Sequence, residues 1–334
     1  AAPTPVSPYL HSATMVKAGV FLLARMWPVL AGTPEWFYIV ATTGLVTMLL
    51  GAVIALFKDD LKGLLAFSTV SHLGLVTMLL GFGTPLAAVA AVFHILNHAI
   101  FKAALFMNAG IVDHETGTRH IPHLGGLLQV MPITATLAMV AAASMAGLPP
   151  LNGFLSKEMM LHEAVSTAWL GSDWVVAAMA TLAACFSVAY ALRYVGHVFF
   201  GRTRSELPRT PHDPPLGMWL PPALLVVLVV LIGLFPDPVA GPLVASVSRV
   251  VTGGEVMDYH LALWHGFTPA LGLSAIAVVC GFFMLKAYPR VRAIWAAGPH
   301  PEARLMFRST ISFAVELAQA ITQAFGHRDR VGPG

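Results

Sequence analysis

PLAAVAAVFHILNHAIFKAALFMNAGIV, residues 85–112, is apolar enough and long enough to cross a bilayer as a single helix. Within it His94, His98 and Lys102 recur every four residues, which places three protonatable side chains on one face of that helix. Each step rises about 6 Å, so the row covers about 12 Å of a hydrocarbon core about 30 Å thick. Ionisable groups at that depth cost at least about 2.5 kcal/mol each on insertion scales and are kept for pairing or for moving ions. Histidine titrates near neutrality and takes a proton on one ring nitrogen while releasing one from the other. The row therefore predicts a segment of a proton path. The competing expectation is that each side chain only hydrogen-bonds a neighbouring helix.

The rest of the chain agrees with a membrane setting. Hydrophobic residues make up 57% of the 334 and charged residues only 10%, which excludes a soluble globule. Apolar spans are expected at about residues 7–29, 36–57, 61–82, 85–112, 131–168 with an internal break, 172–200, 218–236 and 262–287, or eight crossings. The predicted fold class is thus an all-α, polytopic transmembrane helix bundle. With that count Lys58, Lys62, Arg119, Arg202, Arg204, Arg209, Lys286, Arg290 and Arg292 share one side, while Arg25 and Arg249 lie on the other. The positive-inside rule makes the crowded side cytoplasmic, with both chain ends there and the bundle in the cell inner (plasma) membrane.

Other function classes find little support. The net charge of +3 includes no basic run interleaved with aromatics, so no nucleic-acid partner is expected. Cys185 and Cys280 sit in separate apolar spans without metal-ligand spacing and read as packing residues rather than a disulfide; no metal site is expected. The opening AAPTPVSPYL has neither a basic n-region nor a cleavage pattern after an apolar core, so a signal peptide is not expected and the chain reads as starting in mid-protein.

Further spans carry polar groups. In the first, Lys17 lies six residues past His11, about 120° around an ideal helix, and too deep to snorkel easily, which favours a functional lysine. KDDLKGLLAFSTVSHLG, residues 58–74, places Lys62 at a membrane entry and Ser68, Thr69, Ser71 and His72 inside. Such hydroxyls either hold water beside His72 or bond back to helix carbonyls. MPITATLAMVAAASMAGLPPLNGFLSKEMML, residues 131–161, sets Gly147, Pro149, Pro150 and Gly153 in the middle of an apolar run, with Lys157 and Glu158 just beyond. That pattern breaks a helix, and in lipid a broken helix occurs where backbone lines a cavity, often at an ion site.

Four of these stretches, PTPVSPYLHSATMVKAG, DDLKGLLAFSTVSHLG, FHILNHAIFKAALFMNAG and LPPLNGFLSKE, occur in order and resemble the signatures of the antiporter-like membrane subunits shared by respiratory complex I and the Mrp-type multisubunit cation/proton antiporters. The resemblance covers about residues 1–235, the later part of the family's helical core. It implies that Lys17, His94, His98, Lys102 and Lys157 belong to a proton-carrying hydrophilic axis, with His11 and Lys62 at more peripheral positions. The glutamate and lysine that open the family's axis would lie upstream of Ala1. The lysine of MVKAG and a further HLALWHGFTPALGLS region are similar to the large A-type component of Mrp antiporters, and a complex I subunit is the runner-up.

These resemblances imply partners in the form of other membrane subunits, protons with sodium as the expected second ion, and the lipid bilayer around them. Neither NADH, flavin nor an iron–sulfur cluster finds a binding motif, so no cofactor and no redox step is expected, and the chain is expected to be a secondary transporter subunit rather than an enzyme. Glu158 and Glu163 are the best acidic candidates for sodium, but are expected to pair with Lys157 or face the surface. His72 and Glu158 join His11 and Lys62 as secondary relay candidates. Residues 1–236 are expected to form the core, 237–287 an additional transmembrane region and 288–334 a cytoplasmic-side tail in which Arg304, Arg308 and Glu316 alternate with Leu305, Phe307, Ile311, Phe313 and Val315 as an amphipathic helix. Residues 201–217 read as a Pro-rich loop. A scaffold without its own transport is the contrasting expectation.

Overall fold

The computed structural model describes residues 6–202, 207–254, 259–264, 266–298, 309, 311–319 and 322. It comprises two compact units, Ala1–Lys286 and Ala287–Gly334. The first is a bundle of helices: α1 (Ala18–Leu30), α2 (Thr42–Phe57), α3 (Leu61–Phe82), α4 (Pro85–Thr116), α5 (Pro132–Ala146), α6 (Asn152–Val165), α7 (Val175–Phe199), α8 (Leu216–Leu234), α9 (Pro236–Val251) and α10 (Pro269–Lys286). Among the described residues, seven helical stretches are long and apolar enough to cross a membrane, and the interrupted α5–α6 pair takes the place of the eighth predicted span. The chain is therefore a multi-pass membrane protein.

Helix α4 is the centre of the bundle, packed against α3, α5, α6, α8 and α9. Pro85 at its first turn costs no hydrogen bond there, and Thr84 caps it by accepting from the Ala87 amide at 3.2 Å. Helices α2 and α3 approach until their backbones touch. A Cβ built on Gly44 would lie 2.2 Å from the Met78 nitrogen, and one on Gly74 would lie 2.4 Å from that of Met48. Small residues at the contact are how membrane helices gain dispersion energy without a hydrophobic drive. The α2–α3 turn is clamped as well. Buried Arg193 of α7 donates to the carbonyls of Leu56 and Lys58 at 2.7 and 2.6 Å and pairs with Asp59, while Arg119 pairs with Asp60.

Two expectations need correction. The first span is not one helix from residue 7 to 29. A wide turn over Tyr9–Ala13 and a tight turn over Met15–Lys17 precede α1, with Thr14 at φ −116°, ψ −93°. Ser12 and Thr14 hydroxyls bond back to Pro8 and Tyr9 carbonyls and compete with the helical ladder. The ideal-helix angle between His11 and Lys17 consequently does not apply. Second, α9 is absent from the expected spans. Three prolines, Asp237 and Arg249 hide its 16 residues from an apolar count, although proline at N1 and an acidic first turn are helix-start signals. Residues 288–334 open with α11 (Tyr288–Ala297). Residues 311–319, including Ile311, Phe313, Val315 and Glu316, are helical and exposed, and Arg304, Leu305, Phe307 and Arg308 lie outside the described residues, as does Arg204.

Candidate proton-transfer site

The broken helix places the first lysine. Helix α5 ends on Gly147 in the left-handed region, φ +82°, and the Leu148 amide bonds back to the Ala143 carbonyl at 3.0 Å, a glycine-dependent helix stop. Helix α6 restarts at Asn152, so close that a Cβ on Gly153 would lie 1.9 Å from the Ser144 carbonyl oxygen. Asn152 and Asn97 hold the break to α4, each donating from its side-chain amide, at 3.1 and 3.0 Å. From one turn into α6, Lys157 reaches back over the end of α5 and donates to the carbonyls of Met145 at 2.7 Å and Ala146 at 3.0 Å. Those carbonyls lack intrahelical donors and carry the negative end of the helix dipole, so a lysine there satisfies both. Its third N–H goes to the Ser187 hydroxyl of α7 at 2.7 Å, giving one acceptor for each ammonium hydrogen.

A continuous buried chain of hydrogen bonds starts from Lys157. Because the lysine can only donate, Ser187 must donate onward, to the Tyr190 hydroxyl at 2.9 Å. Tyr190 then donates to His72 Nε2 at 3.2 Å. That assigns the His72 proton to Nδ1, which donates to His94 Nε2 at 3.0 Å, and His94 Nδ1 donates to Ser156 at 2.9 Å. Six side chains from α3, α4, α6 and α7 are thus joined with a single consistent direction. The imidazoles of His72 and His94 are stacked at 5.2 Å, and both are at most 2% exposed. A cavity of about 10 Å³ beside the chain, bordered by Ser71, His72, Lys157 and Ser187, is about the size of one water. If Lys157 releases a proton to Ser187, each link can pass its own hydrogen onward until Ser156 receives one. All the links then point the other way and must turn before a second proton follows.

The remaining predicted residues lie in the same core but off this chain. His98 is 1% exposed with its ring 5.3 Å from that of His72 and 6.3 Å from that of His94, and neither ring nitrogen has a hydrogen-bond partner among the described residues. Lys102, fully buried one turn further along α4, donates to the Ser68 hydroxyl and to the Leu65 carbonyl at 3.3 Å. Lys17 donates from its turn to the Ile95 carbonyl at 3.1 Å and borders a groove of about 640 Å³ between α1, α4 and α9. The row on α4 is therefore three separate contacts, and the connection of His94 runs across helices, through His72.

The peripheral candidates separate too. The His11 ring stacks on Phe106 at 5.5 Å. Lys62 lies within electrostatic reach of His11, Asp60, Asp113 and Arg119 at one end of the bundle. Glu158 is buried but borders a different cavity, with His162, Tyr259 and His260, and the Lys157 ammonium is taken up by two carbonyls and a hydroxyl. Glu163 accepts from the Thr84 hydroxyl at 2.5 Å. Neither glutamate is among the described hydrogen-bond partners of Lys157, and neither faces the surface, both being 6% exposed. Of the hydroxyls flanking His72, Ser71 bonds to the Met48 carbonyl of α2 at 2.8 Å and Thr69 bonds back to Leu65 at 2.9 Å. Among the described residues no cluster of three metal-ligating side chains occurs.

Sequence reasoning missed Ser156, Ser187 and Tyr190. A signal existed in FSVAYALRYVG, residues 186–196, where Ser187, Tyr190 and Arg193 recur every three residues within an apolar span and so line one helix face.

Fold and site together define a multi-pass helical membrane protein built around a buried, directional chain of lysine, hydroxyl and imidazole groups. Residues 1–187 match the family model described as NADH:quinone oxidoreductase/Mrp antiporter, TM. The chain belongs to this family. It is similar to the A/B component of a probable K⁺/H⁺ antiporter of Rhizobium meliloti, 56% identical over 86% of this chain and 29% of that protein. It is also similar to the A component of the Na⁺/H⁺ antiporter of Alkalihalophilus pseudofirmus, 39% identical over 96% of this chain and 43% of the relative. The solved Mrp complex from Dietzia sp. contains a chain with the same fold, TM-score 0.83 at 38% identity, over 99% of this chain and 35% of the other. A membrane-bound sulfane sulfur reductase, an archaeal respiratory membrane complex, matches with TM-score 0.66 at 26% identity, over 75% of this chain and 50% of its counterpart. The chain thus spans well under half the length of the two curated relatives.

Proposed function

We propose that this chain carries protons through a subunit of a multisubunit monovalent cation/proton antiporter. The observation that carries this reading is the unbroken hydrogen-bond chain from Lys157 through Ser187, Tyr190 and His72 to His94 and Ser156. His98, Lys102 and Lys17 extend the axis from His94 along α4 towards α1, and His11 and Lys62 serve the end of the bundle where Asp60, Asp113 and Arg119 gather. The similarity to proteins named for Na⁺/H⁺ and K⁺/H⁺ antiport favours cation exchange over quinone-driven pumping. Sodium or potassium crosses outside the Lys157 chain, because a desolvated cation needs several oxygen ligands and Lys157 brings positive charge instead.

Other membrane subunits complete the transporter, in the plasma membrane, with the Lys58, Lys62 and Arg119 side facing the cytoplasm. Residues 1–236 supply the transport core and the rest supports it. Everted vesicles containing the assembled complex test the proposal through cation-driven proton flux with Lys102→Ala at matched expression. A relay loses flux while assembly persists, because alanine removes a costly buried ammonium rather than a stabilising one. Unchanged flux would leave the chain a scaffold.

A further inference from the structure

Two cysteines lie outside the proton path. Cys185 lies midway along α7, buried, and Cys280 lies on α10, exposed. The sequence separates them by loops and two further helices, yet α7 and α10 pack together and bring the Cys280 side chain within interaction reach of the Cys185 thiol. The contact is made possible by the residue beside Cys280. A Cβ on Gly281 would lie 2.8 Å from the Cys185 carbonyl oxygen and 2.6 Å from the Val188 Cβ, so the two backbones are nearly in touch there. A disulfide needs such an approach, with Cα atoms roughly 4.4–6.8 Å apart. Ala184, Ala277 and Met284 pack with Cys185, an apolar setting.

We propose that Cys185 and Cys280 form an oxidisable dithiol, whose disulfide ties α10 to the helix that carries Ser187 and Tyr190. Cys280 is the accessible thiol, and its apolar surroundings select an apolar organic hydroperoxide, such as a peroxidised acyl chain, over a hydrophilic oxidant. The Cys280 sulfur attacks the distal peroxide oxygen, the O–O bond breaks, and the thiol proton leaves with the other oxygen as an alcohol. Cys280 is then a sulfenic acid. The Cys185 sulfur attacks it, the S–S bond forms, and hydroxide departs with the Cys185 proton as water. One hydroperoxide is reduced for two thiols oxidised, and a thiol reductant reverses the linkage.

The test treats the assembled complex in its membrane with cumene hydroperoxide, alkylates the remaining thiols and reads the digested protein by mass spectrometry. A reductant-sensitive peptide pair joining Cys185 to Cys280 is expected, absent in Cys185→Ser and in Cys280→Ser. Gly281→Leu, which wedges the helices apart, lowers its yield several-fold. Both thiols remaining open to alkylation, or Cys280 ending as sulfinic acid or bonded to another chain, would overturn the proposal. Since neither cysteine belongs to the proton chain, this result is independent of the flux measured for Lys102→Ala.

Discussion

Replacing Tyr190 by phenylalanine removes one oxygen from the middle of the hydrogen-bond chain and leaves the ring in place. The Tyr190 hydroxyl accepts from Ser187 at 2.9 Å and donates to His72 at 3.2 Å. Without it the space between Ser187 and His72 is about twice a hydrogen-bond length. Ser187 can turn to the Met145 carbonyl, 3.4 Å away, but His72 Nε2 loses its donor. One orphaned buried acceptor and a net hydrogen bond amount to about 2 kcal/mol of stability. A missing proton-transfer partner costs roughly 10²-fold in rate, a far larger effect. Tyr194 supplies the control, since its hydroxyl is equally buried one turn along α7 but bonds Asn108 at 3.2 Å, away from the chain. Cation-driven proton flux in everted vesicles, normalised to assembled complex, should fall roughly 10²-fold in Tyr190→Phe and stay within about twofold of wild type in Tyr194→Phe. Near-normal flux in Tyr190→Phe, or equal losses in both variants, would refute the route through Tyr190.

Gly147→Ala forces alanine into the left-handed region and places its Cβ 2.6 Å from the Lys157 Cδ. The strain alone is about 1–2 kcal/mol, and the displaced lysine should cost flux out of proportion to the fall in thermal stability. Arg193→Leu leaves Asp59 and two helix-end carbonyls without their cation, which should cost about 3 kcal/mol and register as loss of assembled complex on native gels. Gly74→Val pushes α3 off α2, where the backbone of Met48 is 2.4 Å from the added Cβ. That substitution should reduce both assembly and flux, because α3 carries His72 and Ser68.

Much of this arrangement was legible in the chain. The spans followed from apolar runs, and the interrupted helix from GLPPLNG, because glycine and proline act on the backbone locally wherever they fall. The shared face of His94, His98 and Lys102 on one helix follows from four-residue spacing. Their connections did not, because a hydrogen bond between helices depends on register and crossing, which no single helix encodes. His72 therefore gained a central place that its own span only suggested, and Tyr190 passed as an ordinary aromatic of an apolar run. Local hydroxyl bonding at Ser12 and Thr14 distorts the start of a span that hydropathy alone presents as a regular helix.

Histidine infrared bands report most directly whether His72 and His94 exchange protons during turnover. With ¹⁵N-labelled histidine in the reconstituted complex, adding the transported cation against a proton gradient should produce imidazole difference bands that vanish in His72→Asn at equal assembly. A difference spectrum identical in wild type and His72→Asn would contradict proton passage through the buried histidine pair.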